Sequence, residues 1–439
     1  MTYREASDYM LSTINESFSR RQPHRLERMR AFLQRLGDPH LRYPTIHVGG
    51  TSGKGSTATM IAAALTAAGK RTGLHTKPHL ASMLERTRID GRTIDEETFA
   101  ELLAAMQPAI GATAADDGRP SYYETLLALS FVAFERAEVD AAVIEVGIGG
   151  TLDGTNLIQP EVSIVTNVGL DHTDVLGETI EEIARDKAGI AKPGVALVSD
   201  AREPARGIIQ SIATGAGAPF IAVAEAATIA ARPSEMYGQS FAVTTDAATY
   251  ELALPVLGRF QQRNAATALV ALEQLRPALR PSVAAVERGL GGLVIPGRME
   301  FFPGFPGIVF DVAHNPDKSA GLAQSLAETF PERRFAFIVA IGESKNAVDV
   351  LRPFFGLSAS FIFTAFQAPG RSSVNPQRLL NIAEQAGQSA RAIADPIEAL
   401  SVARRNADAA AIVVVTGSTF VVGALRGWWL TNVVERARN

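Results

Sequence analysis

The chain contains no cysteine. That absence excludes a structural disulfide, a thiolate zinc site, an iron–sulfur cluster and a cysteine nucleophile. Long apolar runs are missing too, since no stretch approaches the roughly 20 residues that a membrane-spanning helix needs. The opening Met1-Thr2-Tyr3-Arg4-Glu5 has no signal-peptide apolar core. The Trp428-Trp429-Leu430 cluster is too short to span a bilayer and reads as packing. Neither sign of charge is in excess: Lys plus Arg number 42 and Asp plus Glu 46, a net charge of −4. That balance supplies no broad basic face for nucleic acid. A soluble cytoplasmic protein without nucleic-acid or membrane partners is expected.

What is present is ordinary globular composition in 439 residues, too many for one comfortable core, so two domains are expected. Residues 1–43 read as helical, with Leu26, Met29, Phe32, Leu33 and Leu36 at spacings of three and four, and Gly37 as a stop. Residues 43–48 read as a strand running into a glycine-rich loop, and 56–68 as a helix ended by Gly69. Nearly continuous apolar runs at 141–146 and 162–166 suit parallel strands buried on both faces. A helix at 179–188 and a strand at 195–199 follow, and 200–256 reads as irregular. Gly and Pro punctuate 291–297. Beyond them strands are expected at 307–312, 334–341, 360–366 and 411–416, with helices between. The expectation is an α/β protein, with a mainly parallel ATPase-type domain at 1–296 and a smaller Rossmann-like domain at 297–439.

The loop Gly49-Gly50-Thr51-Ser52-Gly53-Lys54-Gly55-Ser56-Thr57 lies between a strand and a helix. Glycines let backbone N–H groups converge on phosphate oxygens, and a helix N-terminus adds positive potential. Lys54 can neutralise β/γ oxygens, and the hydroxyl of Ser56 or Thr57 can ligate Mg²⁺. The strict P-loop pattern is not met. Val48 stands at its first glycine and Gly55 directly follows the lysine, which disfavours common GTPases and kinases.

Glu145 ends a buried strand just before Gly147-Ile148-Gly149-Gly150, the edge where open α/β sheets hold ligands, and a carboxylate there can hold Mg²⁺. His172, after the strand at 162–166, is open between a structural role and a metal or phosphate contact. Lys187, near a helix C-terminus, reads locally as a cation favoured by the dipole. Asp311 and His314 end the first expected strand of the second domain, and Ser418 ends a later one.

Taken in order, these segments resemble the folylpolyglutamate synthase/dihydrofolate synthase family, within the Mur-type amino-acid ligases. The matching segments run from the loop at 50–57 through Pro78-His79-Leu80, Glu85-Arg86, Tyr123-Glu124-Thr125 and Glu145–Asn156. They continue with Leu170-Asp171-His172-Thr173, Lys187-Ala188-Gly189-Ile190, Gln261 and Asn264–Ala268. In the second domain Pro296-Gly297-Arg298, Asp311 with Ala313–Pro316, and Thr416-Gly417-Ser418 complete the set. The resemblance implies an ATP-dependent ligase joining L-glutamate to a folate-type carboxylate, folate or dihydropteroate, through an acyl phosphate, in a monomeric chain with two Mg²⁺ sites. By similarity the catalytic set is Lys54, Glu145, His172 and Lys187, with Lys187 carbamylated. Gly50, Thr51, Ser52, Gly53, Lys54, Gly55, Ser56, Thr57, Asn264, Arg298, Asp311 and His314 would bind ATP. His79, Arg86, Tyr123, Asp153 and Ser418 would face the substrates. Ser56, Glu145, His172 and carbamylated Lys187 would hold metal.

Four departures stand out. Ser52 replaces the family's asparagine, Lys77 the serine of Ser-Pro-His-Leu, Thr151 a common arginine, and Asp90 the asparagine of Asn-Gly. Two other readings remain open: a Mur-type ligase for a non-folate acid, and an ATP-binding homologue that no longer ligates.

Overall fold

The computed structural model describes residues 1–14, 25–232, 237–357, 359–408 and 410–435. The expected N-terminal helicity falls in two helices, Tyr3–Ser12 and Arg25–Arg35, with positions 15–24 lying outside the described residues. Met29, Phe32 and Leu33 are fully buried, so the spacing that suggested the second helix is its core face.

The first sheet has eight strands. In chain order these are β1 (Thr45–Gly49), β2 (Thr72–His75), β3 (Thr87–Ile89), β4 (Arg92–Thr93), β5 (Ala141–Glu145), β6 (Pro160–Val165), β7 (Ala196–Ser199) and β8 (Phe220–Ala222). Their spatial order is β4-β3-β2-β5-β1-β6-β7-β8. β3 and β4 pair antiparallel at one edge and the other strands run parallel. β1 and β5 are buried at every position, as apolar strands covered by helices on both faces must be. The helix Lys54–Ala67 leaves the loop after β1 and is buried nearly all round.

The segment expected to be irregular is mostly regular. After the helix Ala205–Gly215 come β9 (Ala227–Ala231), β10 (Gln239–Thr245) and β11 (Thr249–Leu254), an antiparallel sheet. β11 alternates exposed and buried residues, and its inner face packs on the helices Phe260–Glu273 and Val283–Gly291.

A six-stranded sheet follows. Its members are β12 (Glu300–Phe302), β13 (Gly307–Phe310), β14 (Phe335–Val339), β15 (Ala359–Phe363), β18 (Ser389–Ala392) and β19 (Ile412–Thr416), after a small hairpin of β16 (Gln367–Ala368) and β17 (Arg371–Ser372). The order is β12-β13-β19-β14-β15-β18. Only β12 runs antiparallel, so Asp311 follows the second strand of this sheet and not the first. Alternate residues of β19 face opposite sides: Val414 joins Leu322 and Leu326, whereas Val413 and Val415 join Leu400, Val422 and Trp429. The C-terminal tryptophan cluster is packing, as its length suggested.

Candidate active site

β1 lies between β5 and β6, so its exit is flanked by the exits of both neighbours. In an open α/β sheet this reversal in strand order leaves a crevice at the carboxyl ends. The glycine loop occupies that crevice and is clamped to the segment after β6. The Thr51 N–H donates to Asn167 O at 3.0 Å, and the Ser52 N–H to Asn167 Oδ1 at 2.8 Å. Thr166 Oγ1 donates to Ser52 O at 2.6 Å. Glycine is required here sterically: at Gly50 (φ +128°) a Cβ would collide with Thr166 Oγ1, and at Gly53 (φ +82°) with Asn264 Oδ1. The helix begins at Lys54, two residues earlier than expected, so the N–H groups of its first turn point into the crevice.

Lys54 Nζ donates to Gly50 O at 2.9 Å and Thr51 O at 3.1 Å. Lys187 Nζ donates to the same Gly50 carbonyl at 2.9 Å. Burial first, and the Lys54 charge second, lower Lys187 to about 7 against the pull of Asp186. The side chain therefore leaves its own helix terminus for the phosphate loop, and the dipole reading of Lys187 is overturned. Thr151, where the family has arginine, donates through Oγ1 to Asp186 O at 2.9 Å and so secures the turn that carries Lys187.

Glu145 is 3% exposed. Its Oε2 accepts the Lys77 N–H at 2.9 Å and lies 3.2 Å from where a Gly55 Cβ would stand. A buried carboxylate against the turn that holds Ser56 fits an Mg²⁺ ion that takes only one or two protein ligands and completes its shell with phosphate and water. Among the described residues no three His, Cys, Asp or Glu side chains gather as an all-protein cage. His172 has φ +52° at the start of a short helix, and burial lowers it to about 3.

From the second sheet, Asp311 accepts the N–H of Met299 and of Ala313, each at 2.8 Å, which fixes the turns around Arg298. Burial raises Asp311 and lowers Arg298. His314 Nδ1 bonds Val312 O at 2.7 Å, and its Nε2 lies 3.2 Å from Lys318 Nζ. Asn264 bonds Gln261 at 2.8 Å and leans on Gly53.

Sequence reasoning missed the knot that joins the halves. Asp171 Oδ2 accepts from Asn315 Nδ2 at 2.9 Å and lies 3.5 Å from Lys318 Nζ, while Oδ1 accepts from Lys345 Nζ at 3.0 Å. Burial pushes Asp171 upward, but Lys318, His172 and Lys345 hold it well below the usual carboxylate range. The only available signal was its place beside His172.

On the outer side, Tyr123 OH donates to Asp153 Oδ1 at 2.9 Å. Asp153 also takes the Ile148 and Thr155 N–H groups and Thr155 Oγ1. His79 Nδ1 accepts from Arg86 Nε at 3.1 Å, and the guanidinium lies over Tyr122. Ser418 caps the helix Thr419–Trp429 through the Phe420 N–H. Asp90, by contrast, sits in the β3–β4 turn and accepts the Thr72 N–H, a structural place away from the crevice. The crevice thus offers backbone donors and cations to phosphate on one side and charged side chains on the other.

Residues 48–272 match the Mur ligase middle domain, and residues 297–419 the Mur ligase glutamate ligase domain. The chain is 36% identical over 419 residues to a probable bifunctional folylpolyglutamate synthase/dihydropteroate synthase of Haloferax volcanii, covering 93% of this chain and 49% of that one. It therefore spans about half the length of that archaeal relative. A dihydrofolate synthase/folylpolyglutamate synthase of Bacillus subtilis is 30% identical over 407 residues, covering 91% of this chain and 94% of the relative. The structure of Mycobacterium tuberculosis folylpolyglutamate synthase complexed with ADP superposes with a TM-score of 0.89 at 29% identity, covering 97% and 98% of the two chains. The chain belongs to the folylpolyglutamate synthase/dihydrofolate synthase family of the Mur ligases.

Proposed function

We propose that this chain is an ATP-dependent ligase that joins L-glutamate to a folate-type carboxylate. The observation that carries the reading is the crevice itself: Gly55 of the clamped loop and Glu145 line one cleft with Arg298, whose charge Lys54 also feels. The loop N–H groups and Lys54 take the ATP phosphates, and on phosphate arrival Lys54 exchanges the Gly50 and Thr51 carbonyls for phosphate oxygen. Asn264, Arg298, Asp311 and His314 hold the rest of the nucleotide. Ser56 and Glu145 would hold Mg²⁺, which would supply charge withdrawal from the phosphate oxygens. The acid carboxylate attacks the γ-phosphorus and ADP leaves. The glutamate amine then adds to the acyl carbon, and phosphate departs with an amide left behind. Such a reaction needs aligned partners and neutralised charge more than a protein nucleophile.

Tyr123, Asp153, His79, Arg86 and Ser418 would face the acid and the glutamate. Tyr123 and Asp153 act as a bonded pair, so one shapes the other. A carbamate on Lys187 would form readily, since an amine lowered to about 7 holds a large uncharged fraction at neutral pH. That anion would lie beside Lys54, which shares its carbonyl. We take the two domains to meet near 296/297 and the chain to act as a cytoplasmic monomer, since both halves of the crevice come from one copy.

The test is ADP release with dihydropteroate, with tetrahydrofolate monoglutamate or with no acid, each with L-glutamate. Release that needs both a folate-type acid and glutamate is expected. Turnover only with a non-folate acid overturns the substrate class, and measurable ATP binding without release for any acid overturns the ligase.

A further inference from the structure

β1 places an imidazole in the middle of an apolar layer. Ile46 and Val48 join the core that includes the helix Phe260–Glu273, so His47, by strand alternation, faces the opposite layer. There it is fully buried and stands in register beside Ile144, whose cluster includes Leu127 and Phe131. A buried polar ring is costly unless it is hydrogen-bonded. His47 has one partner: its Nε2 lies 2.8 Å from Thr155 Oγ1, while Nδ1 has none among the described residues.

The bonds beyond Thr155 give that contact a direction. Thr155 Oγ1 has a single proton and donates it to Asp153 Oδ1 at 2.7 Å, so it accepts from His47. The ring therefore carries its proton on Nε2, and Nδ1 is a bare lone pair. Burial holds the ring neutral, lowering it to about 3, so a donor and not a charge acts here. Asp153 Oδ1 also accepts the Thr155 N–H at 3.0 Å and the Tyr123 hydroxyl at 2.9 Å. Oδ2 accepts only the Ile148 N–H among the described residues, at 3.0 Å, and keeps a lone pair for a ligand. The Asp153 charge is felt by Lys54 and Lys77, so the pair belongs to the crevice. At the other end of the chain of bonds, β1 ends at Gly49, two residues after His47, where the phosphate loop begins.

We propose that His47 is a positioning residue of the ligase site. Through Thr155 it fixes Asp153 and Tyr123 against the strand that carries the phosphate loop, and so holds the acid-binding pair in register with the ATP phosphates. This rests on the ligase reading above, in which Tyr123 and Asp153 face the acid. A network satisfied link by link is stiffer than its separate bonds, which is what alignment of two substrates needs.

Two measurements on the whole chain test the inference. The first is the nitrogen chemical shifts of the ¹⁵N-labelled imidazoles, with His47→Gln identifying the signal. A neutral Nε2–H ring between about pH 5 and pH 8 is expected, and an Nδ1–H ring or protonation in that range overturns the proposal. The second is calorimetric titration with dihydropteroate in the presence of a non-hydrolysable ATP analogue. His47→Leu should weaken dihydropteroate binding about fivefold and leave the affinity for the analogue as it was. His47→Gln, whose amide can donate to Thr155 Oγ1, should restore the binding. Thr155→Val should match His47→Leu, and the double variant should be no worse than either. Native affinity in Thr155→Val, no rescue by glutamine, or additive losses each overturn the proposal. Should His47→Leu fail to fold, Thr155→Val and the ring tautomer decide it. Absence of binding in the native chain itself would sink the folate-type reading, whereas binding lost only in the variants concerns His47.

Discussion

Where β1 leaves the first sheet, the chain offers mostly backbone to a ligand: the loop from Gly50 to Gly53 and the opening turn of the helix Lys54–Ala67. Where β13 leaves the second sheet, it offers side chains, with Asp311, His314 and Lys318 within eight positions of one another. The first half is clamped within its own domain by Thr166 and Asn167. The second is pinned across the gap by Asp171. Backbone donors need no rotamer to be ordered, whereas long charged side chains do. The phosphate half is therefore preformed, and the other half depends on the two domains staying together.

The largest effect that sharpens this contrast is on Lys54. Lys54→Ala should lower ADP release on the order of a thousandfold, and Glu145→Gln by a similar factor, with melting midpoints unchanged. Near-native turnover in either would mean that the preformed half does not carry the chemistry. Asp171→Ala comes next, because it strands two partly buried lysines. A loss of about 3 kcal/mol of domain coupling is expected, seen as one calorimetric transition splitting into two, with ADP release down about tenfold to a hundredfold. A single unshifted transition would deny that the halves are held by this residue.

Thr166→Val removes the donor to Ser52 O and should cost about 1 kcal/mol of loop order. The KM for ATP would then rise about fivefold with little change in kcat. An unaltered KM would show that the clamp is redundant. The last effect leaves the crevice and its neutral-pH turnover untouched and concerns acid. His47 and His75 lie buried in β1 and β2, and burial lowers each from 6.5 to about 3. Between these values the unfolded chain holds protons that the folded chain does not, so stability falls as pH drops from about 6.5 towards 3. His47→Gln, which can keep the bond to Thr155 Oγ1, should flatten that decline in thermal midpoints, and an equally steep decline would remove His47 as its source.

The readable parts of the fold were those where pattern and packing coincide. The loop at 50–57 could be found because glycine, lysine and hydroxyl residues sit between an apolar strand and a helix former, and the structure needs glycine at 50 and 53 for stated clashes. β2 (Thr72–His75) was missed because four residues with an internal glycine carry no period. β9 to β11 were passed over as irregular although β11 alternates cleanly, since Thr and Ala dilute its signal. Asp171 was seen only as a neighbour of His172. Its partners Asn315 and Lys345 are 144 and 174 positions away, and no local pattern reports such a pairing. Lys187 was misjudged locally for the same reason, because its acceptor, Gly50 O, lies 137 positions earlier.

The Asp171 knot has one more consequence. Its two lysine side chains are 24% and 26% exposed, so mobile ions of the solvent reach them. At a physiological ionic strength fields are screened over about 8 Å, and the pairing weakens as salt rises. The Thr166 and Asn167 bonds that clamp the phosphate loop join neutral groups and do not respond in that way. Electrolyte therefore acts on the parting of the domains and not on the grip of the loop. On the proposed reading, a higher ionic strength would shorten the time a spent nucleotide stays enclosed.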